Sequence, residues 1–136
     1  PRKKTAPEVQ TLPLYWLIVR NPDGAILLEK RPAKGIWGGL YCVPCFETLN
    51  ETYVCAEKLG IVSDDLEEQP ALTHRLTHRL LMITPFEAQI SSPDTLPRSE
   101  NASKDNRFWV KSENLADYGL PKPLADYLKQ RQQALF

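Results

Sequence analysis

Hydrophobic and polar positions change period along the chain, and these changes mark its predicted elements. The aromatic and β-branched run Leu14–Val19 predicts a strand. Turn-forming residues occupy Asn21–Gly24, so we expect Ala25–Lys30 to pair back on the first strand as a hairpin. Leu40–Phe46 is apolar over most of its length and predicts a further strand.

Two segments have helical patterns. Asn50 can cap a helix that runs through about Leu59, and Gly60 is suited to end it. A second helix is expected from Leu124 to about Ala134, where leucines recur at helical spacing. The acidic stretch between them, residues 64–69, predicts a loop or a short helix.

The remaining segments complete a mixed sheet. Leu76–Ile90 predicts mainly strand, with an interruption near Pro85, and Arg107–Val110 predicts a short strand. Ser91–Asp105 is rich in Ser, Pro, Asp and Asn and is therefore expected to be a surface loop. Residues 1–11 are basic and polar and predict a linker, leaving residues 12–136 as one domain. The expected fold class is α+β, a mixed β-sheet sandwiched by helices.

Charge is zero overall but unevenly distributed. With 42% hydrophobic residues and no net charge, the 136-residue chain is neither disordered nor a wholly basic nucleic-acid binder. Residues 1–40 hold seven Lys and Arg against three acids, whereas residues 41–72 hold one against seven. Residues 73–111 hold six against four. A basic face built from the first and third segments and an ordinary mixed surface both remain open.

The cysteine count and the hydropathy indicate a compartment. Three cysteines, an odd number, argue against a disulfide framework and favour a reducing environment. The sequence contains neither a signal peptide nor an apolar window of about 20 residues, so we expect no membrane association. We therefore expect a cytoplasmic protein. Because the chain opens at Pro1 and its only methionine is Met82, we also expect it to be a piece of a longer protein.

Residues 31–44, RPAKGIWGGLYCVP, form the most informative segment. The paired glycines Gly38 and Gly39 let the backbone turn sharply and approach another surface, and Trp37 before them offers a flat apolar face. This segment resembles the one that leads into the signature box of Nudix nucleotide hydrolases. The resemblance implies a Nudix-like fold.

The catalytic part of that box is mostly absent. Gly39 and the pair Gly60-Ile61 keep the spacing of the box, but four of its five charged positions carry other residues; in order these positions hold Cys45, Tyr53, Val54, Glu57 and Lys58. Nudix enzymes hold Mg²⁺ or Mn²⁺ with several carboxylates on one helix face. We therefore expect no metal site. An active hydrolase with a displaced site is the first alternative, although its candidate ligands, Glu47, Glu51 and Glu57, are irregularly spaced.

A second segment, Leu72–Leu80, contains both histidines. On a strand its side chains would divide between two faces, with His74, Leu76 and His78 on one and Arg75, Thr77 and Arg79 on the other. In a loop, all of them could reach a phosphate backbone or a base edge. An edge strand with ordinary exposed charges is the alternative.

The order of these two segments resembles the C-terminal domain of the MutY family of adenine DNA glycosylases. That domain is Nudix-like, lacks the metal site, and has a lesion-recognition loop of the pattern His-x-Phe-Ser-His. Here the positions run His74-x-Leu76-Thr77-His78, so the hydroxyl is kept and the aromatic ring is replaced by an apolar side chain. The end of the chain, residues 107–121, also resembles the family, and the match covers about residues 12–136.

The resemblance implies a lesion-recognition domain for double-stranded DNA that contains 8-oxoguanine opposite adenine. The oxidised base carries hydrogen at N7 and oxygen at C8, so a hydroxyl can accept from the first and backbone N–H groups can donate to the second. The expected DNA-binding residues are Leu76, Thr77, His78, His74, Arg75, Trp37, Arg31 and Lys34. The expected partners are this DNA and the protein's own N-terminal glycosylase domain, with the chain a monomer. The resemblance also implies a nucleoid-associated bacterial protein.

The resemblance places the chemistry outside this chain. The family's glycosylase domain, with its catalytic acids and a 4Fe-4S cluster, precedes the Nudix-like domain. The spacing Cys42-x2-Cys45-x9-Cys55 is neither four cysteines nor the cluster pattern, so we expect no catalytic residue and no cofactor here.

Two further alternatives remain. Cys42, Cys45, His74 and His78 have the ligand types of a zinc finger, but the 28-residue gap between the pairs is too long. We expect the cysteines to be small core residues that point to opposite faces of a strand. Most aromatic residues that could stack on a base are also expected in the core, except Trp37; the others are Tyr15, Trp16 and Tyr41. A protein-interaction module that uses Ser91–Asp105 is the other alternative.

Overall fold

The computed structural model describes residues 9–91 and 107–134. Its strands are β1 Gln10–Arg20, β2 Ile26–Lys30, β3 Tyr41–Cys42, β4 Cys45–Phe46, β5 Glu67–Glu68, β6 Leu72–Arg75, β7 Arg79–Gln89 and β8 Arg107–Val110. Its α-helices are α1 Leu49–Lys58 and α2 Lys122–Ala134, and short 3₁₀-helices span Ser63–Asp65 and Ser112–Asp117. None of the helices in these residues is long and apolar enough to cross a membrane.

The long strands β1 and β7 form the centre of one mixed sheet. They run parallel and stay in register from Gln10 opposite Arg79 to Arg20 opposite Gln89. The sheet order is β3-β2-β1-β7-β5, and β4, β6 and β8 pair antiparallel with β1, β7 and β2. Gln10 and Thr11, which we placed in the linker, belong to β1 because they pair with the start of β7.

Alternate residues of β1 face two separate apolar cores. Trp16 and Ile18 pack on the face covered by α2, whose Leu124 and Leu128 are buried there. Leu17 and Val19 pack on the opposite face, which α1 covers with its buried side chains Cys55 and Ala56. This period of two follows from strand geometry. The predicted α+β fold, a mixed sheet between helices, is confirmed.

Two predicted boundaries are wrong, one at the start of α1 and one within the apolar run Leu40–Phe46. Helix α1 starts one residue before the predicted cap, and Thr48 caps it by accepting a hydrogen bond from the Glu51 N–H at 3.1 Å. The end of the helix is as predicted, since Gly60 adopts φ +84°. The expected strand Leu40–Phe46 is divided into β3 and β4 because the chain turns at Val43-Pro44.

The segment from Leu76 to Ile90 also differs from its prediction. The strand β7 is continuous through Pro85, which lies where the outer partner of β7 changes from β6 to β5. A proline is tolerated at such a position because no continuous ladder requires its missing N–H. The interruption falls at Leu76–His78 instead. Of the predicted loop Ser91–Asp105, only Ser91 lies among the described residues.

A buried carboxylate joins α2 to the sheet. Glu87 of β7 is 7% exposed and accepts hydrogen bonds from Arg20 at 3.3 Å and from two nitrogens of Arg131 at 2.9 and 3.1 Å. The Tyr127 hydroxyl donates to the same carboxylate. Burial first, and then the hydrogen bond to Glu87, raise the pKa of Tyr127 well above its ordinary value. Two cations and a hydroxyl therefore compensate the charge of this buried acid.

Candidate nucleic-acid interface

The histidine segment forms a tight hairpin between β6 and β7. Leu76 and Arg79 exchange backbone hydrogen bonds, with N–O distances of 2.7 and 3.4 Å, so Thr77 and His78 form the tip. Both tip residues are exposed. Within the described part of the chain, the N–H groups of Thr77 and His78 have no hydrogen-bond partner. The tip therefore presents a hydroxyl, an imidazole and two backbone donors to solvent.

The faces of this segment follow the predicted alternation only up to the turn. His74 and Leu76 are half-buried on the core side, whereas Arg75 and Thr77 are exposed. His78 leaves the face of His74 because the chain reverses between Thr77 and Arg79. The strand alternative therefore describes this segment only up to the turn, and the loop alternative describes the tip.

The glycine-rich segment forms a compact loop that closes on itself. Arg31 N–H donates to the Leu40 carbonyl at 2.7 Å, and Gly39 N–H donates to the Pro32 carbonyl at 3.1 Å. A Cβ at Gly38 would lie 2.3 Å from the Ala33 oxygen, so only glycine fits there. The loop leaves Lys34 exposed and Trp37 half-buried, with Trp37 at φ 56°, which non-glycine residues seldom adopt.

Trp37 connects this loop to the hairpin. Its ring centroid lies 6.2 Å from that of His74 at an angle of 46°, and 6.2 Å from that of the buried Trp16. Trp16 in turn packs edge-on against Tyr127 of α2 at 6.0 Å. These ring contacts connect the glycine-rich loop to β6 and α2. They also cover part of the Trp37 ring, which we expected to stack on a base.

A cleft of about 410 Å³ lies between the loop, the start of β7 and the start of α1. Arg31 and Arg79 line it together with Glu47 and Glu51. Arg31 is fixed by its Nε–H, which donates to the Ile36 carbonyl at 3.3 Å. Sequence reasoning left Arg79 out of the expected site, because only the folded chain shows that it lines the same cleft as Arg31.

The other aromatic candidates are core residues, as expected. Trp16 is fully buried, and Tyr15 packs against Phe86. Tyr41 packs edge-on against Phe108 and Tyr118, with ring centroids 5.8 and 5.1 Å away. None of these three rings is therefore positioned as a stacking platform.

The donor set at the box positions does not fit a divalent cation. In α1 the positions of the box hold Tyr53, Val54 and Lys58, with Glu57 as the only carboxylate among them. Across residues 9–91 and 107–134, no three His, Cys, Asp or Glu side chains group as metal ligands. Mg²⁺ requires several oxygen donors, so no hydrolytic step through a metal follows from this helix.

Comparison with known proteins places the chain in a family. Residues 15–130 match the NUDIX domain. The chain is 29% identical over 115 residues to an adenine DNA glycosylase of Buchnera aphidicola subsp. Schizaphis graminum, covering 84% of this chain and 32% of that protein. The chain thus spans about a third of the length of this curated relative.

Solved structures show the same fold in two functional classes. The C-terminal domain of mouse MUTYH, solved in complex with human PCNA, has a TM-score of 0.67 at 16% identity, covering 90% of this chain and 88% of that one. The MutT protein of Methanosarcina mazei Go1 has a TM-score of 0.68 at 17% identity, covering 95% and 98%. The fold alone therefore does not distinguish the C-terminal domain of MUTYH from a MutT protein. The sequence resemblance to adenine DNA glycosylases is confirmed. With most of its length matched, the chain belongs to the NUDIX domain family.

Proposed function

We propose that this chain is the lesion-recognition domain of an adenine DNA glycosylase, and that it recognises 8-oxoguanine opposite the adenine to be excised. The observation that carries the proposal is the exposed Thr77–His78 tip, whose two N–H groups have no hydrogen-bond partner among the residues that the structure describes. The similarity to adenine DNA glycosylases supports it. In this proposal the chain selects where excision occurs, and the excision chemistry belongs to a preceding catalytic domain.

The donors and acceptors of the tip match the oxidised base. The Thr77 hydroxyl accepts from N7–H, and a backbone N–H of the turn donates to the oxygen at C8. Guanine presents an acceptor at N7 and hydrogen at C8, so the same groups would lose both bonds. One polar pair of this kind discriminates by about 1–3 kcal/mol.

The residues around the tip position it and contribute to affinity for the DNA backbone. Leu76 is anchored in the core and sets the height of the tip, while His78 faces solvent and contacts phosphate or the neighbouring base. Arg31, Lys34, Arg75 and Arg79 supply cations for the backbone. Because Glu47 and Glu51 share the cleft of Arg31 and Arg79, this attraction is weak, and stable binding depends on the catalytic domain.

Excision by the full-length protein, with and without residues 12–136, tests this function. The substrates are duplexes that contain either 8-oxoguanine:adenine or guanine:adenine. We expect deletion to slow excision from the oxidised pair selectively, because only that pair gains from the tip. Equal slowing of both pairs, or no slowing, would show that the domain stabilises or recruits and does not recognise the lesion.

The hydrolase alternative has a separate test. A Nudix hydrolase would release pyrophosphate or phosphate from oxidised dGTP in a Mg²⁺-dependent reaction. Since α1 lacks the carboxylate group, we expect no release above the uncatalysed rate. The interaction-module alternative would require binding to a protein partner through Ser91–Asp105 and none to either duplex.

A further inference from the structure

Two cysteines that we expected on opposite faces lie side by side. The turn at Val43-Pro44 separates β3 from β4 and brings the sulfurs of Cys42 and Cys45 to 3.5 Å. The Cys45 thiol donates to the Val43 carbonyl at 3.2 Å, which leaves Cys42 as the donor in the contact between the sulfurs. The third cysteine, Cys55, is buried in the core on the other side of the sheet.

The two thiols differ in access. Cys42 is fully buried, whereas Cys45 is half-buried and lines the cleft that contains Arg31. Burial first, and then the hydrogen bond to Cys45, raise the pKa of Cys42 well above its ordinary value. A dissolved reagent therefore meets Cys45 first, and Cys42 reacts only with a group already attached to its neighbour.

We propose that Cys42 and Cys45 form a redox-active dithiol that closes reversibly to a disulfide by exchange with a small dissolved disulfide such as oxidised glutathione. Cys45, deprotonated by solvent, attacks one sulfur of the reagent and releases the first thiolate. Cys42 then attacks the Cys45 sulfur of the mixed disulfide, and its proton leaves with the second thiol. The protein dithiol is oxidised, and one disulfide molecule is reduced to two thiols.

The geometry favours closure within the turn. A disulfide requires an S–S distance of about 2.05 Å, so rotation of two side chains must shorten the 3.5 Å separation. Closure breaks the hydrogen bond from Cys45 to Val43 and fixes the junction between β3 and β4. Since Cys45 pairs with Trp16 of β1, the change is transmitted to the sheet beneath the Arg31 cleft.

Thiol counting in glutathione buffers tests the proposal on the whole chain. The folded chain is equilibrated at increasing ratios of oxidised to reduced glutathione. Its free thiols are then alkylated with a maleimide, and its mass is measured by intact-protein mass spectrometry. We expect the count of maleimide-reactive thiols, measured after denaturation, to fall from three to one, with a mass loss of two hydrogens before trapping. The remaining thiol should map to Cys55, and excess dithiothreitol should restore all three.

Single substitutions assign the order of the steps. Cys42→Ser should accumulate a persistent glutathionyl adduct on Cys45, because the resolving thiol is missing. Cys45→Ser should keep Cys42 reduced, and Cys55→Ser is the matched control that still closes the disulfide. The corresponding alanine variants replace any serine variant whose circular dichroism shows unfolding.

Two outcomes would overturn the proposal. One is the retention of all three thiols by the unsubstituted chain in fully oxidised glutathione. The other is a lasting glutathionyl adduct on Cys45 of the unsubstituted chain, since Cys42 would then be unable to resolve it.

Discussion

The ring of Trp37 lies 6.2 Å from the ring of His74, although one belongs to the glycine-rich loop and the other to β6. This contact, continued from Trp37 to Trp16, is what fixes the loop relative to the hairpin. The loop and β6 are thus joined through a partly buried row of aromatic rings. Among the described residues, no hydrogen bond or ring contact joins the side chains of Thr77 and His78 to that row, so support and recognition can be separated experimentally.

Trp37→Ala should weaken both the fold and lesion selectivity. The half-buried ring contributes part of the ~3–5 kcal/mol typical of a buried Trp, so we expect the free energy of unfolding to fall by about 2 kcal/mol. Trp37→Phe keeps a ring against Trp16 and should retain most of both properties. Urea denaturation measures the first effect, and the ratio of excision rates for oxidised and normal pairs measures the second.

Thr77→Ala should lower the preference for 8-oxoguanine while leaving stability unchanged. Loss of one hydroxyl acceptor at an exposed tip removes about 1–3 kcal/mol of discrimination, and Thr77→Ser should retain it. Thr73→Ala is the matched control, since Thr73 is an exposed threonine on β6 outside the turn. An unchanged preference in Thr77→Ala would remove Thr77 from the site.

Arg79→Gln should make DNA binding less sensitive to salt. If this guanidinium contacts one phosphate, the slope of log affinity against log salt concentration should become shallower by about 1, for normal and oxidised duplexes alike. Lys129→Gln, on the exposed face of α2, is the control that should leave the slope unchanged. A change in selectivity without a change in slope would contradict a phosphate contact.

Glu87→Gln should destabilise the chain strongly for a single isosteric change. The substitution leaves Arg20 and Arg131 without their counter-charge, and breaking such a pair costs ~3–5 kcal/mol when both partners are buried. Because their side chains are 23% and 38% exposed and regain water, we expect a loss of about 2 kcal/mol. Glu68→Gln, an exposed acid on β5, should cost little in the same urea titration.

Tyr127 should make stability fall at alkaline pH. Its pKa is raised in the folded state, so its contribution is complete below the unfolded pKa of about 10 and is lost progressively as the pH rises toward the folded value. Tyr127→Phe should flatten this part of the stability profile, measured by urea unfolding across the alkaline range. An equally steep fall in the Phe variant would assign the effect to other groups.

The sequence predicted the elements whose physical signal is local. The aromatic and β-branched run in β1 and the glycine that ends α1 gave both elements, because β-propensity and positive φ depend on the residues themselves and their immediate neighbours. The mixed sheet between helices followed from the order of strands and helices along the chain.

The turns inside apolar runs could not be predicted in this way. Leu76–Arg79 contains neither Gly nor Pro, Asn or Asp, so its composition favours a strand, and only the pairing of β6 with β7 forces the reversal. Val43-Pro44 does contain a turn former, but the apolar residues around Pro44 favoured a single strand, and the turn there places two thiols together. That Arg79 lines the same cleft as Arg31 depends on long-range strand pairing and was therefore missed.

The parallel pairing of β1 with β7 has a mechanical consequence. Gln10 N–H donates to the His78 carbonyl at 3.3 Å, so the first residue of the sheet is attached directly to the proposed recognition turn. A force applied to the chain at Gln10 would therefore act first on the backbone of His78. It could displace the turn without a change in any side chain.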